Sequence, residues 1–265
     1  MRTITSKFAG VLPVLLLLFV FQVHVLAQTN DRSITVYQYR HVPDDKVNEF
    51  VKRETIYWSK VAQRAIDKKQ LSFWALLQKI GGDNMANSPN FLFINTYPDI
   101  DKVGEVWSNP EAAAGVKTAV METNSLSKTT DMFFVHEENW VQAKNADPAK
   151  DFNYVVMIFH NTNYPDSLIG LEKSHWGPFI QTAMDNGNAP ARAWGNSVIL
   201  SPTGENLKFN TVSYDLYKTL KDALMPNWNP NTVFPSEGLN KIGNIETNRR
   251  NSSVFRIVKV VAASN

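Results

Sequence analysis

Six of the seven tryptophans fall into three pairs that have nearly the same spacing along the chain. The pairs, separated by 118, 120 and 121 residues, are Trp58 with Trp176, Trp74 with Trp194, and Trp107 with Trp228. Tryptophan is a rare residue, so three spacings this similar predict an internal duplication. Each copy is then a small domain, or half of one fused domain.

Two short segments also recur at similar spacing. The tripeptide Glu-Thr-Asn at residues 122–124 is repeated unchanged at residues 246–248. Phe-Ile-Asn-Thr at residues 93–96 resembles the shorter Phe-Asn-Thr at residues 209–211. The spacing therefore drifts along the chain, as expected when insertions and deletions collect in surface loops.

The first 27 residues have the pattern of a secretory signal peptide. Arg2 and Lys7 precede an almost unbroken apolar run at residues 11–25, and small residues lie at the predicted cleavage site. The alternative is a retained membrane anchor, because residues 8–27 are just long enough to span a bilayer. Cleavage is favoured because the residues that follow are polar. No Cys follows the apolar run, which excludes a lipoprotein anchor. After cleavage we expect an exported protein, periplasmic or extracellular, with no membrane association.

Charge and cysteine content exclude several classes of protein. Two of the 27 Lys and Arg residues lie in the predicted signal peptide, which leaves 25 against 25 Asp and Glu. A nearly neutral chain without a basic patch is not expected to bind nucleic acid. The absence of Cys excludes disulfides, Cys-ligated metals and Cys nucleophiles. The chain must be stabilised by its core, and about 238 residues suffice for one large or two small cores.

The hydrophobic pattern predicts the same order of elements in both copies, which occupy residues 33–142 and 152–262 and are joined by a polar linker at 143–151. In the first copy it predicts strands at 34–41, 70–78, 91–97 and 132–141, a helix at 45–68 and a broken helical segment at 99–126. In the second it predicts strands at 154–160, 191–200, 207–214 and 254–261, and helical segments at 166–185, 215–225 and 235–250.

This order is β-α-β-β-α-β, the split βαβ arrangement of ferredoxin-like α+β domains. A four-stranded sheet of this kind has helices on one face only, and its other face needs an apolar partner. The expected fold is therefore two ferredoxin-like repeats whose antiparallel sheets pack face to face as an intrachain pseudo-dimer. Because the two repeats cover each other, the chain is expected to be a monomer.

The element order, copy length and duplication resemble the dimeric α+β barrel superfamily in a tandem single-chain form, over residues 33–262. Members of this superfamily include cofactor-independent oxygenases, haem-degrading enzymes, peroxidase-like enzymes and small-molecule isomerases. The resemblance implies a site between the sheet and its helices, or inside the barrel. The Asn, Trp, His set of the haem-degrading branch is not matched here, so no bound cofactor is expected.

A glutamate lies in the middle of an apolar helix face in each copy. Glu54 lies about 40° from Trp58 around the helix, and Glu172 has the same relation to Trp176. A buried carboxylate must be hydrogen-bonded, paired or protonated. Because carboxylates with a raised pKa are typical general bases, both glutamates are candidate catalytic residues. The alternative is a structural glutamate that bonds a neighbouring strand or reaches solvent.

Three histidines are candidate catalytic partners of these glutamates. His41 and His160 end the predicted first strands, and His175 follows Glu172 by three residues where the first copy has Tyr57. A histidine can act as a base or bind a metal, although each of the strand-end residues has the alternative of a solvated turn. A single Glu-x-x-His is weak support for a metal, so none is expected. The difference at this position favours an active site in the second copy.

Aromatic residues near these positions are candidates for binding a small-molecule ligand. Aromatic walls with few polar groups are typical of ligand pockets, but they are equally typical of cores, and the core interpretation is favoured. The candidates are Tyr39, Tyr57, Trp58, Trp74, Trp176 and Trp194.

Two functions remain once the motifs that are missing are considered. The sequence has no G-x-G-x-x-G, P-loop, G-x-S-x-G or H-E-x-x-H, which disfavours nucleotide binding, serine hydrolase and zinc protease chemistry. The first function is an exported small-molecule enzyme, a cofactor-independent oxygenase or isomerase. The second is a non-catalytic exported module that binds a small apolar ligand or serves as a folded partner.

Overall fold

Alternating apolar residues produce eight antiparallel strands in the part of the chain that the structure describes. The structure is a computed structural model that describes residues 32–80, 88–204, 207 and 209–263, so the predicted signal peptide lies outside the described residues. The strands are β1 (Ile34–His41), β2 (Phe73–Ile80), β3 (Phe91–Tyr97), β4 (Lys128–Gln142), β5 (Tyr154–Thr162), β6 (Ala193–Ser201), β7 (Thr211–Tyr217) and β8 (Glu246–Ala262).

These strands form one closed barrel in the order β1-β3-β2-β8-β5-β7-β6-β4, so the prediction of two separate sheets packed face to face is wrong. β4 pairs with β1 and β6, and β8 pairs with β2 and β5. With 15 and 17 residues, these two strands are long enough to pair with one strand from each half of the chain. Two separate sheets would expose unpaired edge N–H and C=O groups, and closure of the barrel removes those edges.

Helices pack outside the barrel. α1 is a continuous helix made of Val47–Arg53, a π-helical turn Glu54–Trp58 and Ser59–Asp67, and α6 is made in the same way of Pro165–Leu171, Glu172–Trp176 and Gly177–Asp185. The shorter helices are α2 (Val103–Val106), α3 (Pro110–Ala114), α4 (Thr118–Met121), α5 (Pro148–Asp151), α7 (Leu220–Leu224) and α8 (Ser236–Ile245). Among the residues that the structure describes, no helix has the length and apolar character needed to cross a membrane.

Alternation along each strand separates the apolar residues into a barrel interior and two helix–sheet layers. The interior holds side chains from both halves, among them Tyr39, Leu92, Met157, Phe159, Tyr214 and Phe255. The layer under α1 contains Phe50, Trp74, Leu76 and Phe91. The layer under α6 contains Ile180, Trp194 and Tyr217. Each half, β1 to β4 and β5 to β8, therefore keeps its own core beside the shared interior.

The strand register shows which residues occupy equivalent places in the two halves. Ile34 opposes Tyr97 as Tyr154 opposes Tyr217, which is an offset of 120 residues in both strands. The same offset relates Trp74 to Trp194. The equivalent arrangement is compatible with a duplication, which stays an interpretation of the sequence.

The register also corrects two alignments made from the sequence. Thr211 opposes His160 as Phe91 opposes Arg40, so His160 is equivalent to Arg40 and not to His41. For the same reason the segments 93–96 and 209–211 are not equivalent. Short matched segments align wrongly when the intervening loops differ in length.

The segment predicted as a linker, residues 143–151, is partly buried. Ala143 and Asp151 are buried, and the segment includes α5. The Asp151 carboxylate lies 3.4 Å from Arg192 Nη2 and 3.4 Å from Lys218 Nζ. These contacts attach the segment to the second half, while the repeat boundaries and the monomeric state stay predictions.

Gly195 on β6 allows the Tyr214 ring to lie over the strand. A Cβ at Gly195 would lie 2.6 Å from the Tyr214 hydroxyl, which donates to Glu137 Oε2 at 2.6 Å. Gly195→Ala should lower the free energy of unfolding, measured by urea denaturation, by about 1–3 kcal/mol because the ring must move. Gly170→Ala is the matched control: a Cβ there meets no atom within 4 Å, and the helix should gain about 0.5–1 kcal/mol. Equal effects of the two variants would contradict this account.

Candidate functional site

The two candidate glutamates begin the π-helical turns of α1 and α6. Such turns are rare and occur frequently at functional sites, because the extra residue changes which side chains face the neighbouring element. Glu54 is 3% exposed and Glu172 is 7% exposed. Both carboxylates are therefore buried between a helix and the barrel, as the apolar helix faces predicted.

Glu172 lies among buried polar side chains of the second half. Asn196 Nδ2 donates to Glu172 Oε2 at 2.7 Å, and Ser213 Oγ donates to Glu172 Oε1 at 3.3 Å. The Asn196 amide oxygen in turn accepts from Asn139 Nδ2 at 2.8 Å. Burial raises the pKa of Glu172 above its ordinary value, and the hydrogen bond from Asn196 opposes this rise.

His160 extends this cluster toward the end of α8. Its Nε2 lies 2.6 Å from Ser213 Oγ, and its Nδ1 contacts Glu246 Oε1. The His160 side chain is 2% exposed and the Glu246 side chain is 17% exposed. We refer to Glu172, Ser213, His160 and Glu246 as the polar chain.

The alternation of the strands explains why these side chains meet. On β7, Val212 and Tyr214 point into the barrel, so Ser213 between them points toward α6. On β6, Gly195 and Ser197 likewise flank Asn196, whose side chain reaches Glu172. Asn196 on β6 and Ser213 on β7 thus both face α6 and contact the Glu172 carboxylate.

The first half surrounds its buried glutamate differently. Glu54 Oε1 accepts from Thr123 Oγ1 at 2.7 Å, and the buried Arg40 donates from Nη2 to Asn124 Oδ1 at 2.9 Å. Burial raises the pKa of Glu54 to about 7, while the Thr123 hydrogen bond and the charge of Arg40 act in the opposite direction. The repeated Glu-Thr-Asn segment at 122–124 thus supplies two of these partners.

The two strand residues that hydrogen-bond Glu172 have apolar equivalents in the first half. By the strand register, Leu76 stands where the second half has Asn196, and Phe93 stands where it has Ser213. Both side chains belong to the core under α1. Glu54 therefore has no equivalent hydrogen-bonded route along the sheet.

Of the three candidate histidines, the structure links one to a candidate glutamate. His41 Nδ1 hydrogen-bonds the Ser88 carbonyl oxygen at 2.7 Å. His175 packs against Gly238 on α8, where a Cβ on that glycine would lie 2.5 Å from the His175 Cβ. His160, by contrast, reaches Glu172 through Ser213.

The aromatic candidates occupy packing positions. Trp74 and Trp194 are buried in the two helix–sheet layers, and Trp58 Nε1 donates to the Met121 carbonyl at 2.8 Å. Trp176 packs against Phe179 and Trp228. Tyr57 packs in a small cluster with Val61 and Met121. Tyr39 lies in the barrel interior near Phe133. A role for them in ligand binding stays a prediction.

Sequence reasoning missed Asn196, Ser213 and Glu246. The signal for the first two is a polar residue on the buried face of a strand, which is costly unless the residue is hydrogen-bonded. Within the described residues, no group of three or more His, Cys, Asp or Glu side chains could hold a metal ion.

Comparison with known proteins gives the fold. No protein-family model and no curated protein matches the chain. Among solved structures, a candidate monooxygenase from Lactobacillus acidophilus NCFM has a TM-score of 0.56 at 8% identity, covering 87% of this chain and 96% of that one. A candidate monooxygenase from Fusobacterium nucleatum has a TM-score of 0.54 at 9% identity, covering 87% and 94%.

An anthrone oxidase-like protein has a TM-score of 0.53 at 12% identity, covering 89% of this chain and 98% of that one. All three solved structures share the fold of this chain over most of their length. At such low identities the similarity shows the fold alone.

The raised pKa of Glu54 predicts how stability changes with pH. Because the folded pKa of about 7 lies above the ordinary value of 4.5, the folded protein holds this proton more tightly than the unfolded chain. The resulting stability is fully present below pH 4.5 and is lost as the pH rises through 7. The free energy of unfolding of the wild type, relative to Glu54→Gln, should fall by about 3 kcal/mol over this range.

Urea unfolding of both proteins across this pH range measures the difference. Thr123→Ala removes a hydrogen bond that lowers the pKa of Glu54, so the loss of stability should extend to higher pH in that variant. A difference between wild type and Glu54→Gln that does not change with pH would show that the Glu54 pKa is not raised.

Proposed function

We propose that this protein is a small-molecule enzyme of the oxygenase type, in which Glu172 is the general base. The observation that supports it most is the buried Glu172 carboxylate at a π-helical turn, hydrogen-bonded by Asn196 and Ser213 and linked through Ser213 to His160. A carboxylate whose pKa is raised by burial is a stronger base than an exposed carboxylate. The predicted signal peptide supports an exported enzyme.

The similarity of fold to monooxygenase-like barrels favours oxidation as the reaction. The similarity to an anthrone oxidase-like protein suggests a substrate class, small aromatic ketones with an acidic C–H bond. Glu172 would remove a proton from that carbon, and the resulting carbanion would pass electrons to O₂. For anthrone the balanced reaction is CH₂ + O₂ → C=O + H₂O at the central carbon. The chain's own residues supply the base, so this step needs no bound cofactor.

The two buried glutamates have different roles in this proposal. Glu54 has a hydroxyl donor and a nearby guanidinium, but apolar residues occupy the places of Asn196 and Ser213. We assign it a structural role. The second candidate function, a non-catalytic module for a small apolar ligand, is favoured by the near-complete burial of Glu172 and His160.

Oxygen uptake with anthrone as the probe substrate separates the two functions. Glu172→Gln should lower kcat by about 10²–10⁴-fold, because it removes the base but keeps the size of the side chain and one acceptor oxygen. Glu54→Gln is the matched control, an equally buried glutamate of the other half, and should keep kcat within about threefold. Thermal unfolding of both variants shows whether each is folded.

Two results would contradict the proposal. Anthrone that binds without oxygen uptake by the wild type would support the binding module. Equal losses of kcat in both variants would show that Glu172 has no special role.

A further inference from the structure

We propose that Ser213, His160 and Glu246 form a proton path that connects Glu172 to solvent at the end of α8. The inference rests on the proposed role of Glu172 as a base and adds the route by which its proton leaves. It assigns functions to three residues, two of which no sequence pattern identified.

The first observation is an unbroken series of contacts. Glu172 Oε1 lies 3.3 Å from Ser213 Oγ, which lies 2.6 Å from His160 Nε2, and His160 Nδ1 contacts Glu246 Oε1. Each group in the middle can both accept and donate a proton, as a relay requires: a hydroxyl has one proton and two lone pairs, and an imidazole has two nitrogens. Both ring nitrogens of His160 therefore face an oxygen of the path.

The second observation is the difference in exposure along the path. Glu172, Ser213 and His160 are buried, whereas the Glu246 side chain is 17% exposed. Glu246 is the first residue after α8, and Thr162 Oγ1 donates to the Ile245 carbonyl at 2.7 Å next to it. This hydrogen bond holds the end of α8 against β5, where His160 lies.

The third observation is that the fold does not require the path. The first half has the same π-helical turn and buried glutamate, but Phe93 replaces the serine and Arg40 replaces the histidine. Neither side chain can relay a proton, since phenylalanine has no polar atom and a guanidinium stays protonated. The polar chain is thus specific to the second half, and burying a glutamate at this turn does not require it.

The protons balance without another reactant. Glu172 takes a proton from the substrate carbon, whose electron pair stays on the substrate. Glu172 then gives a proton to Ser213 Oγ as Ser213 gives its own to His160 Nε2. The imidazole gives its Nδ1 proton to Glu246, which releases it to water. Each relay group gains one proton and loses one.

Among the groups around Glu172, one hydrogen-bonded neighbour can take its proton. His160 and Glu246 are the ionisable groups that act on Glu172, and its other neighbours, Asn196 and Ser213, are neutral. The asparagine side chain holds the carboxylate but does not exchange protons at neutral pH. Ser213 is therefore the group through which a proton can leave Glu172 toward the imidazole.

The direct test is the rate at which Glu172 exchanges its proton with solvent. A photoacid provides a rapid pH jump, and time-resolved infrared spectroscopy follows the carboxyl band of Glu172, which is identified by its loss in Glu172→Gln. Ser213→Ala and Glu246→Gln should each slow this rate at least about tenfold. Ser213→Thr keeps the hydroxyl and should restore the rate, while the band of Glu54 should keep its rate in all these variants.

The rate distinguishes a path from a structural role. A Ser213 that only stabilises the fold would leave the rate unchanged or, if its loss loosened the site, increase it. Either result in Ser213→Ala overturns the proton path, even if Glu172 is the base. Slow exchange in Ser213→Ala, together with no oxygen uptake by the wild type, would support the path and overturn the proposed enzyme. Covalent labelling of Ser213 by a fluorophosphonate would identify a nucleophile instead and would also overturn it.

Discussion

Pairing of the long strands β4 and β8 with both halves of the chain is the constraint on which the rest of the structure depends. Each long strand hydrogen-bonds one strand of the first half and one strand of the second half. The barrel of the described strands therefore closes, and no sheet edge is left unpaired. Closure buries one shared apolar interior and moves the helices outside. The two helix–sheet layers, one in each half, are where polar groups approach the buried glutamates.

A carboxylate buried in such a layer must have partners, since leaving it alone would be costly. The first half meets this need with Thr123 and the nearby Arg40, which are sufficient for stability. The second half uses Asn196 and Ser213 and then continues to His160 and Glu246. The proposed function gives these extra groups a role, since the first half buries its own glutamate without them.

The sequence predicted those elements whose pattern is local. β1 at Ile34–His41 and β3 at Phe91–Tyr97 begin and end where alternation predicts. β8 begins at Glu246, eight residues before the prediction, because polar residues there form a strand only by pairing with β5. Glu172 and His160 were predicted from the helix and strand patterns. Their connection through Ser213 depends on strand register, which no local pattern contains.

The indole N–H signals of four tryptophans, two in each half, offer the most direct test of whether the second half alone binds a small molecule. The ring of Trp194 would lie 3.5 Å from a Cβ at Gly177, next to the turn that holds Glu172, while Trp74 occupies the equivalent place in the first half. In ¹H–¹⁵N spectra, titration with anthrone should shift the indole signals of Trp176 and Trp194 and leave those of Trp58 and Trp74 unchanged. Shifts of the Trp58 and Trp74 signals, or no shifts at all, would contradict this account.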